Sequence, residues 1–175
     1  MDIIISSNLE RLLYDMSGND AMFVNNMMND LNKTGHYQIP DKLKRKMEFF
    51  YGGYATENET LKAIENVYNE SNYVIDTHTA VAYSVYKNYL DTTGDNTKTV
   101  IASTASPYKF TRSVCDALKI DTENITDFEL IGLLSDRTDT QIPAPIHSLE
   151  TKPILHDTLC KKSDIKTVIK NILGI

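Results

Sequence analysis

The chain has 175 residues, 41% of them apolar, which suits one globular domain that buries about two thirds of its unfolded surface. Its net charge of −6 argues against a nucleic-acid partner, which needs a basic patch, and no run nears the ~20 apolar residues of a membrane helix. Two cysteines, Cys115 and Cys160, make no disulfide framework and no metal spacing, and the start lacks a basic signal-peptide region, so a cytoplasmic setting is the simplest that composition permits.

Ile3 to Ile5 read as a short strand that begins almost at the first residue, which suggests a chain cut from something longer. Ser7 or Asn8 can cap the helix that follows, with Leu9, Leu12 and Leu13 at helical spacing and Gly18 at its end. Asn19 or Asp20 opens a second helix through about Lys33, carrying Phe23, Met27, Met28 and Leu31 on one side as core. Pro40 suits the start of a third helix, from about Asp41 to Phe50, and Lys42, Lys44, Arg45 and Lys46 read as its solvated face. Phe49-Phe50-Tyr51 form an aromatic patch before Gly52-Gly53. That pair reads as a turn with positive φ rather than a phosphate cradle, because G-x-G-x-x-G spacing is missing.

Thr56-x-x-Glu59 is a capping box, and the helix it opens carries Leu61, Ile64, Val67 and Tyr68 on one face and ends near Ser71. Tyr73-Val74-Ile75 predict a buried strand or an extended lead-in. Asp76 or Thr77 then caps a helix of about fifteen residues with Val81, Val85 and Leu90 among its apolar positions. Thr99 to Ala102 predict the central strand. Helices follow from Thr111 or Arg112 to Lys119, with Cys115 buried in it, and from Asp127 to Arg137. Ile154 to Leu159 look like a strand, and Ser163 to Leu173 predict an amphipathic helix with Ile165, Val168, Ile169 and Ile172 inward.

The chemistry gathers in two stretches of the same shape. In Ile101-Ala-Ser-Thr-Ala-Ser-Pro-Tyr-Lys-Phe110 an apolar run turns abruptly into Ser103, Thr104 and Ser106, then Pro107, which cannot donate to a ladder, and the cation Lys109. In Val74-Ile75-Asp76-Thr77-His78-Thr79-Ala80 an apolar run meets two titratable groups at a helix start. Open α/β sheets place ligands beyond the carboxyl ends of such strands. The hydroxyls are otherwise a Ser/Thr turn, Asp76 an N-cap, and His78 a hydrogen-bonded wall residue. A zinc site lacks a second His or Cys at the required spacing.

Together these stretches resemble the C-terminal part of threonine synthase, a pyridoxal-phosphate (PLP) enzyme of fold type II. The family's Asp-Pro-His-Thr-Ala stands here as Asp76-Thr77-His78-Thr79-Ala80, with Thr77 where proline is usual. Its Thr-Ala-[His/Ser]-Pro-x-Lys-Phe stands as Thr104-Ala105-Ser106-Pro107-Tyr108-Lys109-Phe110. Ser6-Ser7-Asn8-Leu9-Glu10-Arg11 is similar to its Ser-Ser-Asn-Phe-Glu-Arg run, and the three matches keep the family's order.

The resemblance implies an α/β fold: the helix-rich C-terminal part of a fold type II PLP enzyme, a few-stranded, mostly parallel sheet flanked by helices, with residues 1–175 as one compact unit. It implies the conversion of O-phospho-L-homoserine and water to L-threonine and phosphate. Thr104, with Ser103 as the fallback, falls where a hydroxyl meets the cofactor's pyridine nitrogen. Asp76, His78, Lys109, Asn8 and Arg11 fall toward the substrate. The family's Schiff-base lysine lies upstream in a Phe-Lys-Asp setting that this sequence lacks, so this chain alone is expected to be inactive and to need the missing N-terminal part. The alternative is a non-catalytic domain of this fold that binds a small anion or another protein.

Overall fold

A computed structural model describes residues 5–175; the predicted strand at Ile3–Ile5 lies largely outside them. Eight helices are described: α1 (Ser7–Ser17), α2 (Ala21–Thr34), α3 (Asp41–Lys46), α4 (Glu57–Ser71), α5 (Thr77–Thr93), α6 (Thr111–Ala117), α7 (Asp127–Thr138) and α8 (Ile165–Leu173). Short 3-10 turns at Pro107–Phe110, Leu149–Thr151 and Lys162–Asp164 join some of them.

Local chemistry sets the helix starts. Ser6, one residue before the predicted cap, accepts from the Leu9 amide, and Asp20 accepts from Phe23. Thr56 with Glu59 and Thr126 with Glu129 form complete capping boxes at α4 and α7. α3 stops at Lys46, short of the predicted Phe50, because the Met47 amide is shared between the Leu43 and Lys44 carbonyls and so tightens the last turn. The basic cluster is exposed as expected, though Lys46 Nζ also reaches the Met16 carbonyl at 2.8 Å near the end of α1.

Two apolar clusters form. Leu13, Met27 and Leu43 close the space among α1, α2 and α3. The larger one joins α4, α6 and α7 through Ile64, Val114, Leu118, Leu130 and Leu134, with Val74 from the approach to α5. Burial of each of these large side chains contributes about 1.5–3 kcal/mol. Tyr68 spans the larger cluster and donates from its hydroxyl to the Arg137 carbonyl at 2.9 Å.

The described residues contain no strand. Thr99–Ala102 are irregular and Val100 is 91% exposed; Ile154–Leu159 are irregular too, with Leu155 and Leu159 exposed. A strand needs a neighbour's ladder to satisfy its backbone, and the described residues supply none. Val74 and Ile75 are the buried extended lead-in.

The glycine pair also departs from expectation. Neither Gly52 nor Gly53 has positive φ. A Cβ at Gly53 would lie 2.8 Å from Val85 Cγ1, so this glycine lets the chain press against α5. The predicted inward residues of α8 are not buried: Ile165, Ile169 and Ile172 are exposed and Val168 is half-buried. None of the helices described is long and apolar enough to cross a membrane.

Candidate functional site

The site is built on the N-terminus of α5. Val74 and Ile75 anchor the approach in the core, so the next residue, Asp76, enters the helix fully buried. Its extended backbone (φ −79°, ψ 170°) suits an N-cap. Asp76 Oδ1 accepts from the His78 amide at 2.8 Å and faces His78 Nδ1 at 3.0 Å. Asp76 Oδ2 accepts from the Thr79 hydroxyl. Burial is the largest single influence on this carboxyl and pushes its pKa up. The donors from Thr79 and His78, backbone and side chain together, outweigh burial and hold the pKa below the ordinary carboxylate value.

The second stretch meets the first at two points. Thr79 Oγ1 lies 3.2 Å from Ser103 Oγ. The His78 ring packs on Phe110, with centroids 5.0 Å apart. Ser106 caps the turn Pro107–Phe110 by accepting from the Tyr108 amide at 3.2 Å. Tyr108 is buried and its hydroxyl bonds Thr140, fixing that turn to the segment after α7. Lys109 Nζ stands 5.5 Å from the Phe110 ring centroid, with its side chain exposed.

Asp76, His78 and Ser103 are therefore joined into one cluster, with Lys109 at its edge through Phe110. Thr104 is exposed and makes no hydrogen bond with the described residues. Asn8 and Arg11 are exposed on α1, a helix of the other apolar cluster, and the Arg11 guanidinium bonds the Asn8 side chain. Sequence reading missed Thr79 and Phe110 as members of the cluster. Thr79 carried a signal: it is the third helical residue after an Asp cap, where a side chain can return to the cap.

Both Asp76 oxygens are committed to donors from α5, so the carboxylate is not available to a ring nitrogen. What the cluster presents outward is neutral hydroxyl, and that fits a pyridine nitrogen met without a carboxylate. Among the described residues, no group of three or more His, Cys, Asp or Glu is placed to hold a metal.

A family model described as threonine synthase, C-terminal, matches residues 79–172, more than half of the chain. The chain belongs to the threonine synthase family, in its C-terminal portion. Threonine synthase-like 1 of Homo sapiens is 34% identical over 93% of this chain, which spans only 20% of that relative. PLP-bound threonine synthase from Brucella melitensis matches with a TM-score of 0.64 and 26% identity, over 98% of this chain and 33% of that one. Yeast threonine synthase matches with a TM-score of 0.66 and 25% identity, over 99% of this chain and 35% of that one. The chain thus spans about a fifth of the length of the human relative and about a third of the two solved threonine synthases.

Proposed function

We propose that residues 1–175, as one unit, form a wall of the cleft in which a threonine synthase converts O-phospho-L-homoserine and water to L-threonine and phosphate. The observation that carries this is the junction of the two motifs, Thr79 to Ser103 and His78 to Phe110. It brings hydroxyls, an Asp–His pair and a lysine to one end of α5.

PLP, when bound, supplies the electron sink that makes the substrate's α- and β-protons removable. Thr104, or Ser103 beside it, would meet the ring nitrogen as a neutral hydroxyl. Asp76 holds His78 through Nδ1, which leaves Nε2 to face a ligand. Lys109, kept at the rim by Phe110, would attract the substrate phosphate. Asn8 and Arg11 would serve the substrate from α1. A sheet of this fold would be completed by strands of the upstream portion, and the proton-moving lysine would come from there as well. The setting is proposed to be the cytoplasm, with no nucleic acid or membrane involved.

The test is phosphate release from O-phosphohomoserine with PLP. Residues 1–175 alone are expected to release none, and addition of the upstream portion of a threonine synthase is expected to start the reaction. Release by residues 1–175 alone would place the catalytic lysine among them, with Lys109 the first suspect.

A further inference from the structure

α4 and α5 both begin at a cavity of about 340 Å³ that the candidate site does not use. Its exposed members, Thr56 and Glu57, stand at the mouth, and the buried Thr60 and Thr77 form the floor. Val81 and Phe110 supply an apolar wall. The size lies at the small end of the range for ligand pockets, about 300–1,000 Å³. Asp76, His78, Ser103 and Lys109 do not line this cavity; Phe110 is the member that touches their cluster, through the His78 ring.

The recorded bonds show which hydroxyls are free to meet a ligand. Thr56 accepts from the Glu59 amide at 3.3 Å and gives its own proton to the Glu59 carboxylate at 2.7 Å. Thr60 gives its proton to the Thr56 carbonyl at 2.9 Å. Ser113, also on the lining, makes no hydrogen bond with the described residues. Thr77 is 7% exposed, and its Oγ1 is buried with no partner. A buried hydroxyl in that state costs free energy until something bonds it. Thr77 and Ser113 thus hold two unspent protons near the positive end of α5, which suits the two oxygens of a carboxylate. The Glu57 carboxylate at the mouth suits a cation. No lysine or arginine lines the cavity, so a phosphate would meet Glu57 with nothing to balance it. A lone carboxylate would meet the same opposition, and a lone ammonium would leave both hydroxyl protons unused. An α-amino acid carries both charges on one carbon.

We propose that this cavity is a second binding site, for the zwitterion of a small α-amino acid. Its carboxylate accepts from the Thr77 and Ser113 hydroxyls, its ammonium faces Glu57, and its short side chain lies against Val81 and Phe110. The site is independent of the function proposed above.

The test titrates the isotopically labelled 175-residue chain with L-serine and with L-threonine, followed by the NMR shifts of Thr77, Val81 and Ser113. Acetate and methylamine serve as half-ligands, and O-phospho-L-homoserine as a phosphorylated amino acid. Saturable shifts at all three residues are expected with both amino acids, and binding at least about tenfold weaker with the other three compounds. Affinity for L-threonine should fall about tenfold in Ser113→Ala and Thr77→Val, and survive in Thr77→Ser. It should fall about threefold in Glu57→Gln, because that carboxylate is exposed. The amide pattern of α7 shows whether each variant is folded. Should Thr77→Val fail to fold, Ser113→Ala and Glu57→Gln carry the same decision. No saturable shift with either amino acid would overturn the site. Equal binding of acetate would make it an anion pocket, and equal binding of methylamine a cation pocket; either overturns the zwitterion. Tighter binding of O-phospho-L-homoserine than of L-threonine would assign the cavity to the substrate instead. Unchanged affinity in Ser113→Ala and Glu57→Gln would overturn the placement of the two charges.

Discussion

The start of α5 and the length of α8 use their side chains in opposite ways. α5 buries Thr77, Thr79 and Ala80, two of them polar, at its first turn. α8 carries Ile165, Ile169, Ile172 and Leu173 at helical spacing and buries none of its residues. Ile172 is 71% exposed and Leu173 is 64% exposed. The difference lies in what packs on each. Among the described residues, α5 lies along α4 in the most extensive helix contact, whereas α8 contacts chiefly the turn just before it. A strong apolar stripe states that a face can be covered; the covering element decides whether it is.

The largest expected effect tests this difference in stability. Leu130→Ala opens a cavity in the α4–α7 cluster, where Leu130 is fully buried, and should cost about 2–5 kcal/mol in urea unfolding. Ile172→Ala removes comparable hydrocarbon from α8 and should cost less than about 0.5 kcal/mol. An equal cost at the two sites would mean that α8 is covered in solution.

The two thiols probe the same contrast chemically. Cys115 is buried in α6, and burial first, with nearby Asp116 second, pushes its thiol up to about 11. Cys160 is exposed in the segment before α8. A thiol reagent near pH 8 should consume one thiol promptly and the second only in denaturant, because the thiolate is the reacting form. Prompt reaction of both would show that α6 opens readily.

Much of the α4–α7 cluster was legible from sequence because its signals are local. The capping box at Thr56 and Glu59, the Asp76 cap and the burial of Cys115 all depend on neighbours a few residues away. The irregular Thr99–Ala102 and the uncovered face of α8 were not legible. Alternation and apolar content describe a segment, while a ladder or a covering surface belongs to its neighbour. In the candidate site, Asp76, His78, Ser103, Thr104 and Lys109 could be named from two motifs. The bond between Thr79 and Ser103 crosses 24 positions of sequence, and neither motif alone encodes it.

Acid titration sharpens the contrast between the buried cap and an exposed loop. Asp95, on the loop after α5, is held down to about 2 by the Thr97 hydroxyl first, then by the Tyr89 hydroxyl and the Thr97 amide. Asp76 is also lowered, against its burial. A folded value below the unfolded one, about 3.9 for Asp, gives stability that is complete above that pH. It is lost as pH falls through the folded value. Stability should therefore decline from about pH 4 toward pH 2. Asp95→Asn should flatten part of that slope, measured as urea midpoints at each pH. An unchanged slope would mean that these loop bonds do not persist in solution.

A small effect is expected at Thr77, the first helical residue of α5, which stands where the motif usually has proline. Its hydroxyl is buried without a partner, beside a cavity of about 340 Å³ that is also lined by Thr60, Val81 and Phe110. Proline fits the first helical position, where no intrahelical amide bond is lost, and Asp76 already has the extended backbone that a residue before proline prefers. Thr77→Pro should stabilise the fold by about 0.4–1 kcal/mol, mainly by restricting the unfolded chain. Thr77→Val removes the same hydroxyl and keeps the backbone freedom. If the valine variant gains as much as the proline one, the gain comes from relieving the buried hydroxyl. If both lose stability, a water in that cavity satisfies the hydroxyl, and the threonine is a polar feature that a proline there would remove.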